Sequence, residues 1–306
     1  MNLDKFKGLA AALIATLLWG GFYPVGRWLL NSGAHQPDGL TASLLRFAVA
    51  SLALAPALAD REAWKTLRRN WRRDLPLFAL LAASGIVGEG VLVLLSTKYT
   101  TAARSALMAN TTPIFTALLS YWLTRETLSG RKIAGMISGA AGIGIMFLLR
   151  GGDGFSGGSS TLLGVLLAVG AGICWALYTV LGAKATTGYG AFFCTALLFV
   201  LGTVMTLPLA AIWGDPRGAA ELPPATWVGI AYLGLLAAAL GFALWYVALK
   251  YLKPGELGAF GYLTPVVSTV LARIFFAERL GWGFLLSLAL ILGGVALMVD
   301  RPRRRV

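Results

Sequence analysis

Residues 8–30 read GLAAALIATLLWGGFYPVGRWLL, an almost uncharged run near the start of the chain. A helix crosses the hydrocarbon core of a bilayer with about 20 apolar residues, so this run predicts a membrane span. Lys5 and Lys7 precede it, and a basic segment followed by an apolar one also begins a signal peptide. The run continues to Leu30, which is longer than the apolar region of a signal peptide. We therefore expect a retained first span.

The whole chain shares this composition. Of its 306 residues, 58% are hydrophobic and 13% are charged, whereas a soluble domain carries about 25% charged residues. We predict an all-α integral membrane protein with ten transmembrane helices. The fourth and ninth spans carry Arg104 and Arg273, so eight or nine spans is the alternative. The predicted spans are 8–30, 40–59, 75–96, 104–124, 132–149, 161–181, 191–212, 226–249, 257–276 and 282–299.

Basic residues outside the spans fall mostly on one side of the membrane. With the N-terminus in the cytoplasm, that side receives most of them, including the cluster in residues 61–73. The opposite side receives Lys98, Arg150, Arg217 and Arg279. The positive-inside rule then predicts that both termini are cytoplasmic. The net charge of +13 is thus a topology signal, and no nucleic-acid partner is expected.

Metal and disulfide chemistry are not favoured. Cys174 and Cys194 both lie inside predicted spans, so no disulfide framework is available. His35 is the one histidine of the chain, which argues against a histidine metal site. We expect no metal and no cofactor.

The second half of the chain repeats the first. Polar and special residues recur in one ungapped register, which shared leucines alone would not show. The matched pairs include Lys98 and Lys250, Tyr99 and Tyr251, Thr112 and Thr264, Pro113 and Pro265, and Glu126 and Glu278. We predict a first repeat at 8–150, a Gly/Ser linker at 151–160 and a second repeat at 161–300. Five spans per repeat is an odd number, so the two repeats would be inverted in the membrane.

The motifs of both halves resemble those of the EamA domains of the drug/metabolite transporter superfamily. In the first half they are LLWGGFYPVG at 17–26, LLRF at 44–47, Lys98-Tyr99, Thr112-Pro113 and Glu126-x-Leu128. The second half carries LKYL at 249–252, LTP at 263–265 and ERL at 278–280. The resemblance covers nearly the whole chain. It departs where the first span lacks an acidic residue and where Phe192 and Phe193 replace an Arg-Phe pair.

The resemblance implies a non-enzymatic transporter in the bacterial cytoplasmic membrane, with multiple spans and a monomeric state. The chain looks most like the YddG-type exporters of aromatic amino acids. It would export amino acids and related small metabolites by alternating access through a central cavity. Other metabolites, drugs or lipid-linked cargo are alternative substrates. A channel or an intramembrane enzyme is a rival class, although no His-Glu-x-x-His motif is present.

Two of the charged residues inside predicted spans are candidates for a functional role. Glu89 is flanked by Gly88 and Gly90 in the third span, and Arg46 lies in the second. A charge at the membrane centre costs about 2.5–3.5 kcal/mol, so each should face protein or a wet cavity. Glu89 could bind a substrate ammonium group, or it could be a structural partner of Arg46. Arg46 could bind a carboxylate, or it could pair structurally or snorkel to the interface.

Aromatic residues are the other candidates for substrate binding. They could stack on flat substrates, although such stripes also pack helices or form interfacial belts. If the resemblance holds, the third, fourth, eighth and ninth spans line the cavity with the first and sixth. The candidates are Trp19, Phe22, Tyr23, Trp175, Tyr178, Trp245, Tyr246, Phe260 and Tyr262, with Asn110 as a polar contact. Pro113 and Pro265 are expected to kink their helices as hinge or gate residues, or as static bends.

Overall fold

Every regular element of the described chain is a helix. The computed structural model describes residues 3–31, 36–99, 109, 111–148, 159–276 and 282–299. This confirms the all-α prediction.

The helices follow one another closely along the chain. The first half contains α1 (Leu3–Gly20), α2 (Phe22–Asn31), α3 (Gly39–Leu54), α4 (Arg61–Leu81), α5 (Glu89–Tyr99), α6 (Thr112–Thr124) and α7 (Gly130–Leu148). The second half contains α8 (Ser159–Tyr189), α9 (Ala191–Trp213), α10 (Pro224–Ala231), α11 (Gly241–Ala248), α12 (Pro254–Gly258), α13 (Leu263–Phe276) and α14 (Trp282–Met298). Short 3₁₀ helices lie at Ala55–Ala59, Arg217–Glu221 and Ala259–Tyr262, and π-helical segments at Ala82–Gly88 and Tyr232–Leu240.

Five helices in the described residues are long and apolar enough to cross a membrane. They are Gly39–Ala59, Arg61–Val93, Leu162–Tyr189, Ala191–Trp213 and Pro224–Ala248, and Leu285–Met298 is a shorter apolar helix. The chain is therefore a multi-pass membrane protein. The ten-span inverted arrangement and the cytoplasmic termini stay predictions.

The third span is longer than the sequence predicts. The basic residues before it were expected in a loop, but α4 begins at Arg61, where the Asp60 side chain accepts the backbone N–H groups of Glu62 and Ala63 at 3.0 Å each. This N-cap satisfies donors that the first turn leaves free. The helix is interrupted at Asn70, whose φ of −112° and ψ of 17° are not helical. A basic, capped helical segment thus precedes the apolar part of the span.

A second acidic cap fixes the start of α3. Asp38 accepts the N–H groups of Leu40 and Thr41 at 2.9 and 3.0 Å, and the N–H of Asp215 at 2.8 Å. Burial raises the pKa of Asp38, but the hydrogen bonds from Thr41, Asp215 and Leu40 outweigh it and leave the pKa below its ordinary value. The cap therefore also holds the segment after α9 against the start of α3.

The two long π-helical segments occupy matching positions in the two halves. Ser51 and Thr203, which share a hydrogen bond of 3.0 Å, are 152 residues apart, and this is the register of the sequence repeat. In that register Ala82–Gly88 corresponds to residues 234–240, which lie within Tyr232–Leu240. π-helical turns are rare and are often found at functional sites. The same backbone irregularity therefore recurs in the middle of two equivalent helices.

Helices pack across the halves in pairs that the repeat relates. Helix α1 contacts α11 while its counterpart α8 contacts α5, and α3 contacts its own counterpart α9. Helix α7 likewise lies against α14, where Ser138 Oγ donates to the Leu290 carbonyl, 152 residues away, at 2.8 Å. Contacts between equivalent residues are expected along a pseudo-two-fold axis.

The contact between α7 and α14 depends on glycine. A Cβ on Gly294 would lie 2.7 Å from the Gly135 carbonyl oxygen and 2.8 Å from the Gly139 nitrogen, both of them backbone atoms. The two helix backbones therefore approach closely, as small residues allow in membrane proteins.

We predict that Gly294→Ala lowers the thermal unfolding midpoint of the purified protein in detergent, because the two backbones must separate at a cost of about 1–3 kcal/mol. Gly293→Ala is the matched control, since a Cβ there meets nothing within 4 Å. Equal midpoints for the two variants would contradict the close packing.

Candidate functional site

An aromatic cluster lies where α1, α8 and α11 meet. It consists of Trp19, Trp175, Tyr178, Phe242, Trp245 and Tyr246. The ring centroids of Trp19 lie 5.2 Å from Trp175 and 5.0 Å from Trp245, and Tyr178 stacks on Tyr246 at 4.9 Å. Phe242 contacts Trp19, Trp175 and Tyr178. The cluster therefore joins a helix of the first half to two helices of the second.

Helical spacing produces this arrangement. Trp175 and Tyr178 are three residues apart on α8, and Phe242, Trp245 and Tyr246 follow the i, i+3, i+4 spacing of one helix face on α11. Sequence analysis predicted the cluster residues except Phe242. Its spacing to Trp245 and Tyr246 was a signal that could have identified it.

The cluster has a buried side and an accessible side. Tyr178, Trp245 and Tyr246 are fully buried, with at most 1% of their surface exposed. Trp19, Trp175 and Phe242 are only partly buried. Only the last three rings are therefore exposed enough to be contacted from outside the cluster.

Hydrogen bonds fix two of the indole rings. Trp19 Nε1 donates to the carbonyl oxygen of Ala237 at 2.9 Å, within the second π-helical segment, and Trp245 Nε1 donates to Thr179 Oγ1 at 3.1 Å. A buried indole N–H needs such a partner. The π-helical segment thus orients the accessible ring of Trp19.

The other predicted aromatic residues lie elsewhere. Tyr262 is buried, donates to the Met136 carbonyl at 3.2 Å and packs where Gly139 leaves room, and Phe260 is also buried. Phe22 lies beside Arg46. The side chain of Tyr23 and the whole of Asn110 lie outside the described residues.

Both predicted hinge prolines lie near the start of a regular α-helix, and the expected kinks stay predictions. Pro113 is in the first turn of α6, after Thr111, and Pro265 is the third residue of α13, after the 3₁₀ helix Ala259–Tyr262. Proline is tolerated in the first turn of an α-helix, where the N–H groups lack intrahelical partners. Each proline therefore begins a helical segment, and a hinge or gate role for it stays a prediction.

Arg46 and Glu89 lie on neighbouring helices beside the first π-helical segment. The Arg46 Cζ is 4.9 Å from the Phe22 ring centroid and 4.6 Å from that of Phe47. Its Nη2 lies 3.7 Å from the position that a Cβ on Gly90 would occupy. Glu89 is the first residue of α5, directly after the segment Ala82–Gly88. The two charges interact electrostatically.

Ion pairs close the end of the bundle that carries the N-terminus, here called the amino-terminal end. The Lys132 ammonium lies 2.7 Å from Glu126, and both side chains are only 5% exposed. Glu126 also accepts the Gly255 N–H of α12 at 3.1 Å. Lys5 pairs with Glu256 at 3.1 Å. These contacts join the α6–α7 connection and α1 to the start of α12.

A second tie joins α4 to α8. Asp74 is buried and accepts two hydrogen bonds from Arg73, at 2.7 and 3.2 Å. The Tyr189 hydroxyl also donates to it. Among the described residues, no group of three His, Cys, Asp or Glu side chains could hold a metal ion.

Comparison with known proteins decides the family. The sequence profile of the EamA-like transporter family matches residues 6–148 and again residues 162–300. The chain belongs to the EamA-like transporter family.

Several similar proteins are named as transporters. A "Probable terminal-alkyne amino-acid exporter" from Streptantibioticus cattleyicolor is 31% identical over 301 residues, which cover 98% of this chain and 96% of that protein. The "Aromatic amino acid exporter YddG" of Ancylobacter novellus is 28% identical over 308 residues, which cover 99% and 100%. An "Uncharacterized transporter" from Archaeoglobus fulgidus is 28% identical over 260 residues, which cover 85% and 86%.

A solved crystal structure shares the fold of this EamA-family chain. Its TM-score is 0.78 at 22% identity, and the match covers 95% of each chain.

We predict that Trp19→Phe lowers the thermal unfolding midpoint, because it removes the hydrogen bond to Ala237 and leaves the ring contacts largely in place. The lost bond is worth about 0.5–1.5 kcal/mol. Trp213→Phe, at a site that is 70% exposed, is the control and should leave the midpoint unchanged. If both variants unfold at the same midpoint as the wild type, the hydrogen bond from Trp19 to Ala237 does not contribute to stability.

Proposed function

We propose that this EamA-family protein exports amino acids, chiefly aromatic ones, and related small metabolites across the bacterial cytoplasmic membrane. The observation that carries the proposal is the accessible layer of Trp19, Trp175 and Phe242 between the two halves. Flat apolar side chains can stack on these rings. The relatives named as amino-acid exporters support the same substrate class.

Alternating access is the mechanism that best fits the internal symmetry. The matched π-helical segments and the pairwise contacts between halves support two inverted repeats of five spans, with both termini in the cytoplasm. Inverted repeats place a site at their interface and give two states of similar energy. The aromatic cluster lies at such an interface, because α1 contributes from the first half and α8 and α11 from the second.

The amino-terminal end would be the cytoplasmic gate. The pair Glu126–Lys132 and the bond from Gly255 to Glu126 hold α6, α7 and α12 together. Opening towards the cytoplasm would break these buried contacts, and a substrate bound in the cytoplasm-facing state would compensate for their loss. Their formation would accompany release on the other side.

Transport of tryptophan tests the function. Purified protein in liposomes should take up labelled tryptophan and phenylalanine saturably. Trp175→Ala should lower uptake of tryptophan at least about tenfold, because ring stacking is worth about 0.5–1.5 kcal/mol beyond the buried area.

Trp213→Ala is the exposed control and should transport as the wild type does. If both variants take up tryptophan saturably and at the same rate, the aromatic cluster does not contribute to transport. Absence of flux for every amino acid would refute the export proposal.

Orientation can be tested with single cysteines placed at exposed sites. In intact cells, Leu3→Cys should resist a membrane-impermeant maleimide and Ala220→Cys should react, since the two residues are expected on opposite sides. Both positions are exposed, so burial does not decide the result. The reverse labelling pattern would place the termini outside the cytoplasm.

A further inference from the structure

Arg46 is held in place without using its buried N–H group. The rings of Phe22 and Phe47 flank its guanidinium at 4.9 and 4.6 Å and can stabilise the positive charge. Its Nε is buried, and no hydrogen bond from the described residues reaches it. Buried polar atoms are nearly always paired. An oriented guanidinium with a free buried donor is therefore suited to receive an anionic ligand.

Glu89 lies close to Arg46 without forming a pair. The Arg46 Nη2 lies beside Gly90, the residue that follows Glu89. The five ion pairs found in the described part of the chain do not include Arg46 with Glu89, so their N···O distance exceeds 4.0 Å. In a structural salt bridge, the Arg46 nitrogens and the Glu89 oxygens would lie within 4.0 Å of each other. The separation leaves both side chains available to a ligand that carries one negative and one positive group.

The charges adjoin the accessible layer of the aromatic cluster. A Cβ on Gly88 would lie 3.3 Å from the Cys174 sulfur, and Cys174 directly precedes Trp175. Glu89 is close enough to Cys174 to influence it electrostatically. A ligand whose charged group lies at Glu89 can therefore direct a ring towards Trp175.

We propose that Arg46 and Glu89 form the subsite for the charged end of a zwitterionic α-amino acid. Arg46 binds the α-carboxylate through its planar N–H donors, which match carboxylate geometry. Glu89 accepts hydrogen bonds from the α-ammonium group. This assignment rests on the proposed function and narrows its substrates to zwitterions. A ligand with only an ammonium group leaves Arg46 unpaired, and a ligand with only a carboxylate leaves Glu89 unpaired.

The test uses tryptophan and two analogues that each lack one charge. Tryptamine has no carboxylate, and 3-indolepropionate has no ammonium group. Each should inhibit tryptophan uptake by the wild type at least about tenfold more weakly than unlabelled tryptophan, because a buried charge that loses its partner is penalised. Equal inhibition by all three compounds would overturn the assignment.

Variants connect each charge to one group of the ligand. Arg46→Gln should weaken inhibition by tryptophan and 3-indolepropionate but not that by tryptamine, which no longer leaves a buried positive charge unpaired. Glu89→Gln should weaken inhibition by tryptophan and tryptamine but not that by 3-indolepropionate, which no longer leaves a buried negative charge unpaired. Glu62→Gln, on an 80% exposed side chain, is the charge-neutralised control.

A structural role predicts a different pattern. In both variants, inhibition by the three compounds would then either fall by the same factor or stay as in the wild type. Either result makes Arg46 and Glu89 structural, so the assignment fails while the export proposal stands. Variants that fail to fold are replaced by Arg46→Lys and Glu89→Asp, which keep the charge and should preserve the order of the three inhibitors. If the wild type binds and transports no amino acid, both proposals fail together.

Discussion

The cost of placing charge inside a membrane governs the centre of this protein. Arg46 and Glu89 lie within predominantly apolar spans, where a charge costs about 2.5–3.5 kcal/mol on insertion scales. The structure lowers that cost for Arg46 with two aromatic rings around the guanidinium. Glu89 directly follows the first π-helical segment, and Arg46 lies on a neighbouring helix close to Gly90.

The two halves share a backbone but differ in chemistry. Both carry a π-helical segment in the equivalent helix, yet the residue that follows is Glu89 in one half and Gly241 in the other. A Cβ on Gly241 would lie 2.8 Å from Trp19 Nε1, so the indole occupies the space beside the second segment. In the proposed mechanism, the symmetry would provide the two conformational states, and this asymmetry would give the site one charged end and one aromatic end.

The helical fold class and the internal repeat could be predicted from sequence, because spans and repeats depend on periodicity and composition. The helical class follows from apolar runs such as residues 8–30, and Trp19 and Trp175 were predicted as aromatic residues of the first and sixth spans. Contacts between distant helices leave no such pattern. The bond from Gly255 to Glu126, the first-turn positions of Pro113 and Pro265 and both π-helical segments depend on backbone geometry that residue spacing does not encode.

Cys174 provides a direct measure of where the substrate binds, since it is partly exposed between the Glu89 helix and Trp175. The measurement is the rate of Cys174 alkylation by N-ethylmaleimide in a Cys194→Ser background, with and without tryptophan. The account predicts that saturating tryptophan slows alkylation and that alanine, which has no ring, protects less. An unchanged rate in protein that transports tryptophan would place the substrate elsewhere and contradict the site.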